Sequence, residues 1–103
     1  MGYKTIFRES TEQDTKLGNE HPKMYKVILL NDDYTTMEFV VSILINIFHK
    51  TPSEATKIML YVHEKGRGIV GSYTYDIAST KVLQVENEAK KNEFPLRATM
   101  EED

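Results

Sequence analysis

The chain has 103 residues, a formal net charge of −3 at pH 7 and no cysteine. This length allows one domain with a modest core, and the lack of cysteine excludes disulfides and thiolate zinc sites. The acidic balance, without a lysine or arginine cluster, argues against a nucleic-acid surface, and no apolar run reaches the roughly 20 residues that cross a bilayer. Because the N-terminus also lacks a basic and apolar signal sequence, we expect a soluble, cytoplasmic protein.

Residues 1–23 differ in composition from the rest of the chain. They mix four basic with four acidic side chains, and their apolar residues Tyr3, Ile6 and Phe7 follow neither a helical nor a strand period. Such a segment is typical of a flexible arm. We therefore divide the chain into an N-terminal extension over residues 1–23 and a core domain over residues 24–103.

A strand and a polar connection open the core domain. Residues 24–30 are apolar on both alternating faces, which predicts a central strand. The connection 31–35 is rich in turn-forming residues. Thr35 and Glu38 have the spacing of a capping box, in which a threonine hydroxyl and a glutamate satisfy the first helical amides, and this predicts a helix over residues 36–49.

Two further helices and two strands complete the predicted order. A second capping box, Thr51 with Glu54, predicts a helix over residues 52–65, and Gly66 is a suitable C-terminal cap. The remaining pattern predicts a strand over residues 67–73, a helix over residues 74–91 and a strand over residues 94–100. The order strand, helix, helix, strand, helix, strand indicates an α+β domain with three helices packed on a three-stranded antiparallel sheet.

On the third predicted helix the apolar stripe is narrow. The opposite face carries the charged residues Lys81, Glu86, Glu88 and Lys90. We therefore expect this face, including Lys81, to be solvated.

The polar residues admit three interpretations. In the first, the Asn and Asp residues of the connection only form a turn, and His63 only sits near a helix C-terminus. In the second, Asp32, Asp33 and His63 form a metal or acid-base site, since carboxylate and imidazole suit several divalent ions. No His-Glu-x-x-His arrangement, Gly-rich phosphate loop or Gly-x-Ser-x-Gly elbow supports this catalytic interpretation.

The third interpretation is a binding site for a free peptide N-terminus. An α-ammonium group has three N–H donors that need acceptors, and the amide, carboxylate and imidazole groups of this chain can accept them. Methionine, valine and leucine side chains nearby would then hold the first side chain of the peptide. This combination is the N-terminal amine capture mode of peptide recognition.

The chain resembles the ClpS family, bacterial adaptors that recognise N-degrons and pass the proteins that bear them to a AAA+ unfoldase of the Clp protease. The resemblance extends over residues 24–100. It is carried by the run MYKVILLNDDYT at residues 24–35, by residues 37–40 and by the pair Val62 and His63. It implies a monomeric, non-enzymatic adaptor without a cofactor, a metal or catalytic residues.

The resemblance also implies roles for individual residues. Asn31, Asp32 and His63 match the residues that hold the α-amino group of the degron. Met37 matches a gate that crowds the pocket and disfavours β-branched first residues, so the implied preference is for Leu, Phe, Tyr and Trp. The positions that match the apolar pocket lining are Thr35, Met37, Val40, Met59, Val62 and Leu96.

A second surface is implied for the protease partner. Lys81, with Asp76, matches the region that docks the N-terminal domain of a ClpA-type or ClpC-type unfoldase, which acts with ClpP. Residues 1–23 would correspond to the extension that hands the substrate over.

Two positions depart from the family pattern. Thr36 replaces a proline, so we expect a slightly looser helix start, and Asp76 stands where glutamate is common. The rival interaction hypothesis is a scaffold or ribosome-stalk-like domain that binds through helix surfaces and ignores a peptide amino end.

Overall fold

The structure is a computed structural model and describes residues 21–103, so the predicted arm lies outside the described residues except for its last three. The elements are β1 (Met24–Leu30), α1 (Met37–Asn46), α2 (Pro52–Lys65), β2 (Arg67–Thr74), α3 (Tyr75–Lys91) and β3 (Arg97–Glu102). This order confirms the predicted α+β class. Within the described range no helix has both the length and the hydropathy needed to cross a membrane.

β1 is the middle strand of the sheet, as its apolar faces predicted. It pairs antiparallel with β2 on one side and with β3 on the other, giving the strand order β2-β1-β3. Val27 and Leu29 point to the helices and are fully buried. On this side they join buried side chains from all three helices, among them Leu44, Met59 and Val85, in one core.

The opposite face of β1 carries Lys26, Ile28 and Leu30, because side chains alternate along a strand. Arg67 lies opposite Leu30 on β2, and Glu101 lies opposite Lys26 on β3. Their ion pair, 2.9 Å from Arg67 Nη2 to Glu101 Oε2, therefore crosses β1 beside Ile28. Ile28 is only 1% exposed although it lies on the face away from the helical core.

α1 begins one residue later than predicted, and the capping box assigned to Thr35 and Glu38 is wrong. The N-cap is Thr36, whose backbone is extended at φ −73° and ψ 153° and whose hydroxyl accepts from Phe39 N–H at 3.1 Å. Thr35 Oγ1 instead donates to Asp32. Thr36 is thus the N-cap and not the first helical residue that the sequence analysis assumed, and threonine is a favoured N-cap residue.

The end of α1 also differs from the prediction. The helix ends at Asn46 rather than near His49, because His49 adopts a left-handed backbone with φ 58°. Lys81 Nζ reaches across from α3 and donates to the carbonyl of Ile47 at 2.7 Å. It also lies 5.8 Å and 5.9 Å from the ring centroids of Phe48 and Tyr73. The expectation that Lys81 is solvated was therefore wrong: its ammonium caps the end of α1.

β3 begins at Arg97, three residues after the predicted start. Phe94 N–H still donates to Ala89 at the end of α3, at 2.8 Å, and Pro95 has no N–H to offer a neighbouring strand. Leu96 is buried just before pairing begins. Residues 94–96 are consequently a connection that carries apolar side chains into the core.

The junction of α2 and β2 depends on glycine at two positions. Gly66 closes α2 with φ +94°, donating its N–H to the carbonyl of Val62 at 2.8 Å, as predicted from the sequence. A Cβ on Gly68 would lie 2.8 Å from Cγ2 of Val62. Gly68 therefore allows the last turns of α2 to pack directly on β2.

Candidate functional site

Asp32 organises the connection between β1 and α1. Its Oδ1 accepts from the backbone N–H groups of Tyr34 and Thr35, at 2.8 Å and 2.7 Å, and its Oδ2 accepts from the Thr35 hydroxyl at 2.7 Å. Three donors thus fix the orientation of this carboxylate. The arrangement is an Asx turn strengthened by a side-chain hydrogen bond.

The same hydrogen bonds favour the charged form of Asp32. Partial burial opposes ionisation, but the hydrogen bonds from the Thr35 side chain and from the two backbone amides outweigh it and lower the pKa of this carboxyl below its ordinary value. The connection therefore carries a fixed negative charge at neutral pH. It is only partly covered, so a small cation can approach it.

A backbone contact brings the connection to the end of α2. Asn31 N–H donates to the carbonyl of Gly66 at 2.9 Å. Since Gly66 caps α2, this bond holds Asn31 and Asp32 near the last turns of that helix, where Met59, Val62 and His63 share one face. Met59 and Val62 are buried, whereas His63 is exposed.

α1 supplies the opposite side of this space. The cap at Thr36 makes Met37 the first helical residue and Val40 its neighbour one turn later, on the same face. Met37 is 45% exposed, while Val40 is buried. Met37 therefore stands at the edge of the space and Val40 at its base.

Together these elements enclose a pocket of about 190 Å³. Its polar side is formed by Asn31, Asp32, Asp33 and His63, and its apolar side by Met37, Val40, Met59 and Val62, with Thr35 between them. A small adjoining cavity reaches Leu30 and Leu96. Eight of the nine residues that the sequence analysis placed at an amine site or an apolar pocket therefore line this pocket, and the ninth, Leu96, lines the adjoining cavity.

Asp33, to which the resemblance assigned no role at the amine site, also lines this pocket. Asp32, Asp33 and His63, the residues of the metal hypothesis, are thus neighbours. In the described part of the chain, however, no three histidine, aspartate or glutamate side chains form a group able to hold a metal ion. The arrangement instead offers separate acceptors along one side of an apolar pocket.

The two residues assigned to a protease-docking surface are not among those that line the pocket. Asp76 is exposed in the first turn of α3. Lys81, on the same helix, is half-buried against the end of α1. The pocket and the two residues assigned to docking are therefore formed by different parts of the chain.

Comparison with known proteins gives a consistent result. The family described as "ATP-dependent Clp protease adaptor protein ClpS" matches residues 20–99. The "ATP-dependent Clp protease adapter protein ClpS" of Acetivibrio thermocellus is 61% identical over 101 residues, covering 98% of each chain. The protein of the same description from Clostridium acetobutylicum is 57% identical over 102 residues, covering 99% of each chain.

A solved structure is also similar. It is described as the structure of Agrobacterium tumefaciens ClpS2 bound to L-phenylalaninamide, and it aligns with a TM-score of 0.78 at 38% identity. The alignment covers 81% of the present chain and all of the other. From the family match, the relatives and the shared fold, we conclude that this chain belongs to the ClpS family of Clp protease adaptor proteins.

Proposed function

We propose that this protein is a non-enzymatic adaptor that binds peptides with a free N-terminal Leu, Phe, Tyr or Trp and delivers the proteins that bear them to a Clp AAA+ unfoldase. The observation that carries the proposal is the pocket itself, in which a line of acceptors borders an apolar cavity. L-phenylalaninamide, named with the similar A. tumefaciens protein, combines a free α-amine with an apolar side chain. The two sides of the pocket complement these two groups.

In this proposal, Asn31, Asp32 and His63 accept the three N–H donors of the α-ammonium group. Asp32 contributes the charge, because its hydrogen bonds keep it ionised. Hydrogen bonds that involve a charged group contribute roughly 1.5–3 kcal/mol each. An acetylated N-terminus has no charge and a single N–H donor, so it would leave these acceptors without partners.

The first side chain of the peptide enters the cavity between Met37, Val40 and Val62. Burial of one large apolar side chain contributes roughly 1.5–3 kcal/mol. After the cost of association, these contributions are consistent with affinities on the order of micromolar. Leu96, behind the pocket, completes the apolar lining.

Delivery requires a second surface, which we place at the start of α3. Asp76 and Lys81 would contact the N-terminal domain of a ClpA-type or ClpC-type unfoldase that acts with ClpP. Neither residue lines the pocket, and in this proposal the adaptor binds substrate and unfoldase together. Residues 1–23 would supply the extension used in hand-over.

Fluorescence anisotropy with three dye-labelled peptides tests peptide recognition. The peptides begin with Leu, with N-acetylated Leu and with Val, and are otherwise identical. We expect only the free Leu peptide to bind with micromolar affinity, because the acetylated peptide lacks the charge and the Val peptide is branched at Cβ. Equal binding of all three peptides, or of none, would favour the scaffold-domain alternative.

Variants of two adjacent threonines distinguish effects on the binding site from effects on the helix cap. Thr35→Val keeps the side-chain shape but removes the hydroxyl that orients Asp32, so we expect the Leu peptide to bind about 10-fold more weakly. Thr36→Ala removes the N-cap of α1, so we expect a loss of about 1 kcal/mol in unfolding free energy with little change in affinity. Anisotropy and urea denaturation of both variants check this contrast, which would be refuted if Thr36→Ala lost more affinity than Thr35→Val.

The docking role of Lys81 cannot be tested by its alanine variant alone, because its ammonium also has a structural role. Lys81→Ala removes the donor to Ile47, and we expect a loss of about 1 kcal/mol, which lowers the melting temperature by about 4–8 °C. Exposed Asp76 provides the matched variant: Asp76→Ala loses only a solvent-screened interaction with the N-terminus of α3, so its melting temperature should fall less than that of Lys81→Ala, while its binding to the unfoldase N-terminal domain weakens. Circular dichroism and calorimetric titration measure the two effects, and unchanged unfoldase affinity in Asp76→Ala would exclude its docking role.

A further inference from the structure

A second and larger concavity, of about 480 Å³, lies between the outer face of the sheet and α2. We call it the outer groove. Its apolar lining consists of Ile28 and Ile69 from the strands and Ile58 and Tyr61 from α2. Ile69 and Tyr61 are each 54% exposed. This concavity has room for apolar side chains of another segment.

The charged residues around the outer groove are mostly cationic. Lys26, Lys57 and Arg67 line it together with one carboxylate, Glu101, which is paired with Arg67. The carboxylate of Asp103 lies 4.0 Å from Lys26 Nζ, so these groups leave an excess of one positive charge. The groove therefore suits an occupant that combines apolar side chains with an excess of negative charge. None of its lining residues belongs to the amine-binding pocket.

Residues 1–20, which lie outside the described structure, have this composition. Tyr3, Ile6 and Phe7 supply three large apolar side chains, and residues 9–14 supply three carboxylates with no cation between them. With the two cations Lys4 and Arg8, residues 3–14 carry a net charge of −1. The segment thus matches the groove in both apolar character and charge.

The connection along the chain is also favourable. β1 begins at Met24, and Lys26, two residues later, already lines the groove. Thirteen residues separate Phe7 from His21, enough to span about 45 Å when extended. This reach is roughly twice the length of the seven-residue strand β1, so Phe7 can reach any part of the groove.

Covalent attachment favours this segment over a second copy of the chain as the occupant of the groove. A short linker gives a tethered segment an effective concentration on the order of millimolar. A separate molecule at micromolar concentration would compete poorly for the same surface. We infer that residues 3–14 of this chain dock in the outer groove, with Tyr3, Ile6 and Phe7 on its apolar lining and residues 9–14 near Lys26 and Lys57.

Paramagnetic broadening in nuclear magnetic resonance spectra tests this docking. Because the chain has no cysteine, Thr11→Cys provides one attachment point for a nitroxide label on the full-length protein. We expect the backbone amide signals of Tyr61 and Ile69 to lose most of their intensity. The amide of Leu83, which lies on α3 and does not line the groove, should keep its intensity.

Two exposed apolar residues provide matched variants for the labelled protein. Ile69→Asp places a negative charge on the groove lining and should restore most of the Tyr61 signal. Leu83→Asp makes the same change at a 60% exposed site on α3 and should leave the broadening as it was. Circular dichroism melting verifies that both variants fold.

The remaining outcomes would overturn the inference. Uniform weak broadening, or broadening that Ile69→Asp does not reduce, would show that the segment does not occupy the groove. Equal broadening when unlabelled ¹⁵N protein is mixed with labelled ¹⁴N protein would identify a second copy as the occupant. Leu-peptide affinity, measured on the same variants, reports separately on the amine-binding pocket, so failure of one proposal can be distinguished from failure of the other.

Discussion

Replacement of Asp32 by alanine should abolish most binding of peptides with a free N-terminal Leu. The variant removes the one acceptor in the pocket that three hydrogen bonds hold in place and in its ionised form. Loss of a partner for a buried charge costs roughly 2–5 kcal/mol, which corresponds to an increase in Kd of about 30-fold to several thousand-fold. Anisotropy titration with the Leu peptide measures the change.

Asp32→Asn separates the charge of Asp32 from its role in the turn. An asparagine side-chain oxygen can still accept from the Tyr34 and Thr35 amides, so the loop conformation should persist while the charge is lost. Asp33→Asn is the matched control, since it removes one carboxylate charge from the adjacent residue of the same pocket. We expect Asp32→Asn to weaken binding at least 10-fold and Asp33→Asn to weaken it by less than about 3-fold. Equal losses in the two variants would indicate a general electrostatic attraction and no specific role for Asp32.

The lowered pKa of Asp32 predicts how this residue affects stability as the pH changes. A group whose pKa is lower in the folded state stabilises the fold above its unfolded pKa, and this contribution is lost as the pH falls through the folded value. The melting temperature of the parent should therefore approach that of Asp32→Asn as the pH falls below about 4. A difference that stays constant between about pH 6 and pH 3 would show that the hydrogen bonds do not favour the charged form.

Local sequence patterns predicted the elements of the fold correctly where one hydrogen-bonding pattern was dominant. The capping box of Thr51 and Glu54 forms as expected, with both of its bonds present, and Gly66 adopts the left-handed cap. The N-cap of α1 was harder to predict, because two adjacent threonines precede this helix. Both Thr35 and Thr36 can accept from first-turn amides, and the choice depends on Asp32, which engages the hydroxyl of Thr35 and leaves Thr36 as the cap.

Contacts between distant residues could not be predicted from such patterns. The bond from Lys81 to Ile47 joins residues 34 positions apart, and the bond from Asn31 to Gly66 brings the loop to the end of α2. Helical spacing puts His63 and Met59 on one face of α2, but such spacing cannot show that they share a pocket with Met37. The grouping of the pocket residues was implied by family resemblance, and the structure shows the contact between Asn31 and Gly66 that holds the loop beside α2.

The second large effect concerns the choice of the first residue of the peptide. Met37 lines the pocket at its edge, is 45% exposed and begins α1. A branched Cβ, as in Ile or Val, is wide close to the peptide backbone, where the thioether of Met37 would crowd it. Pockets discriminate between side chains that differ by one methylene by roughly 1–3 kcal/mol, so crowding at this position should reject β-branched residues by about 10- to 200-fold.

Met37→Ala should therefore admit peptides that begin with Ile or Val, raising their affinity to within about 3-fold of the affinity for Leu. Stability should change little, because the lost side chain is half exposed and alanine is a good helix former. Met24→Ala is the matched control: it removes a methionine that is 37% exposed at the start of β1, outside the pocket lining, and should preserve discrimination. Competition titrations with Leu, Ile and Val peptides give the ratios directly. If Met37→Ala rejected Ile as strongly as the parent does, selectivity would have to come from the rigid base of the pocket, where Val40 and Val62 are buried.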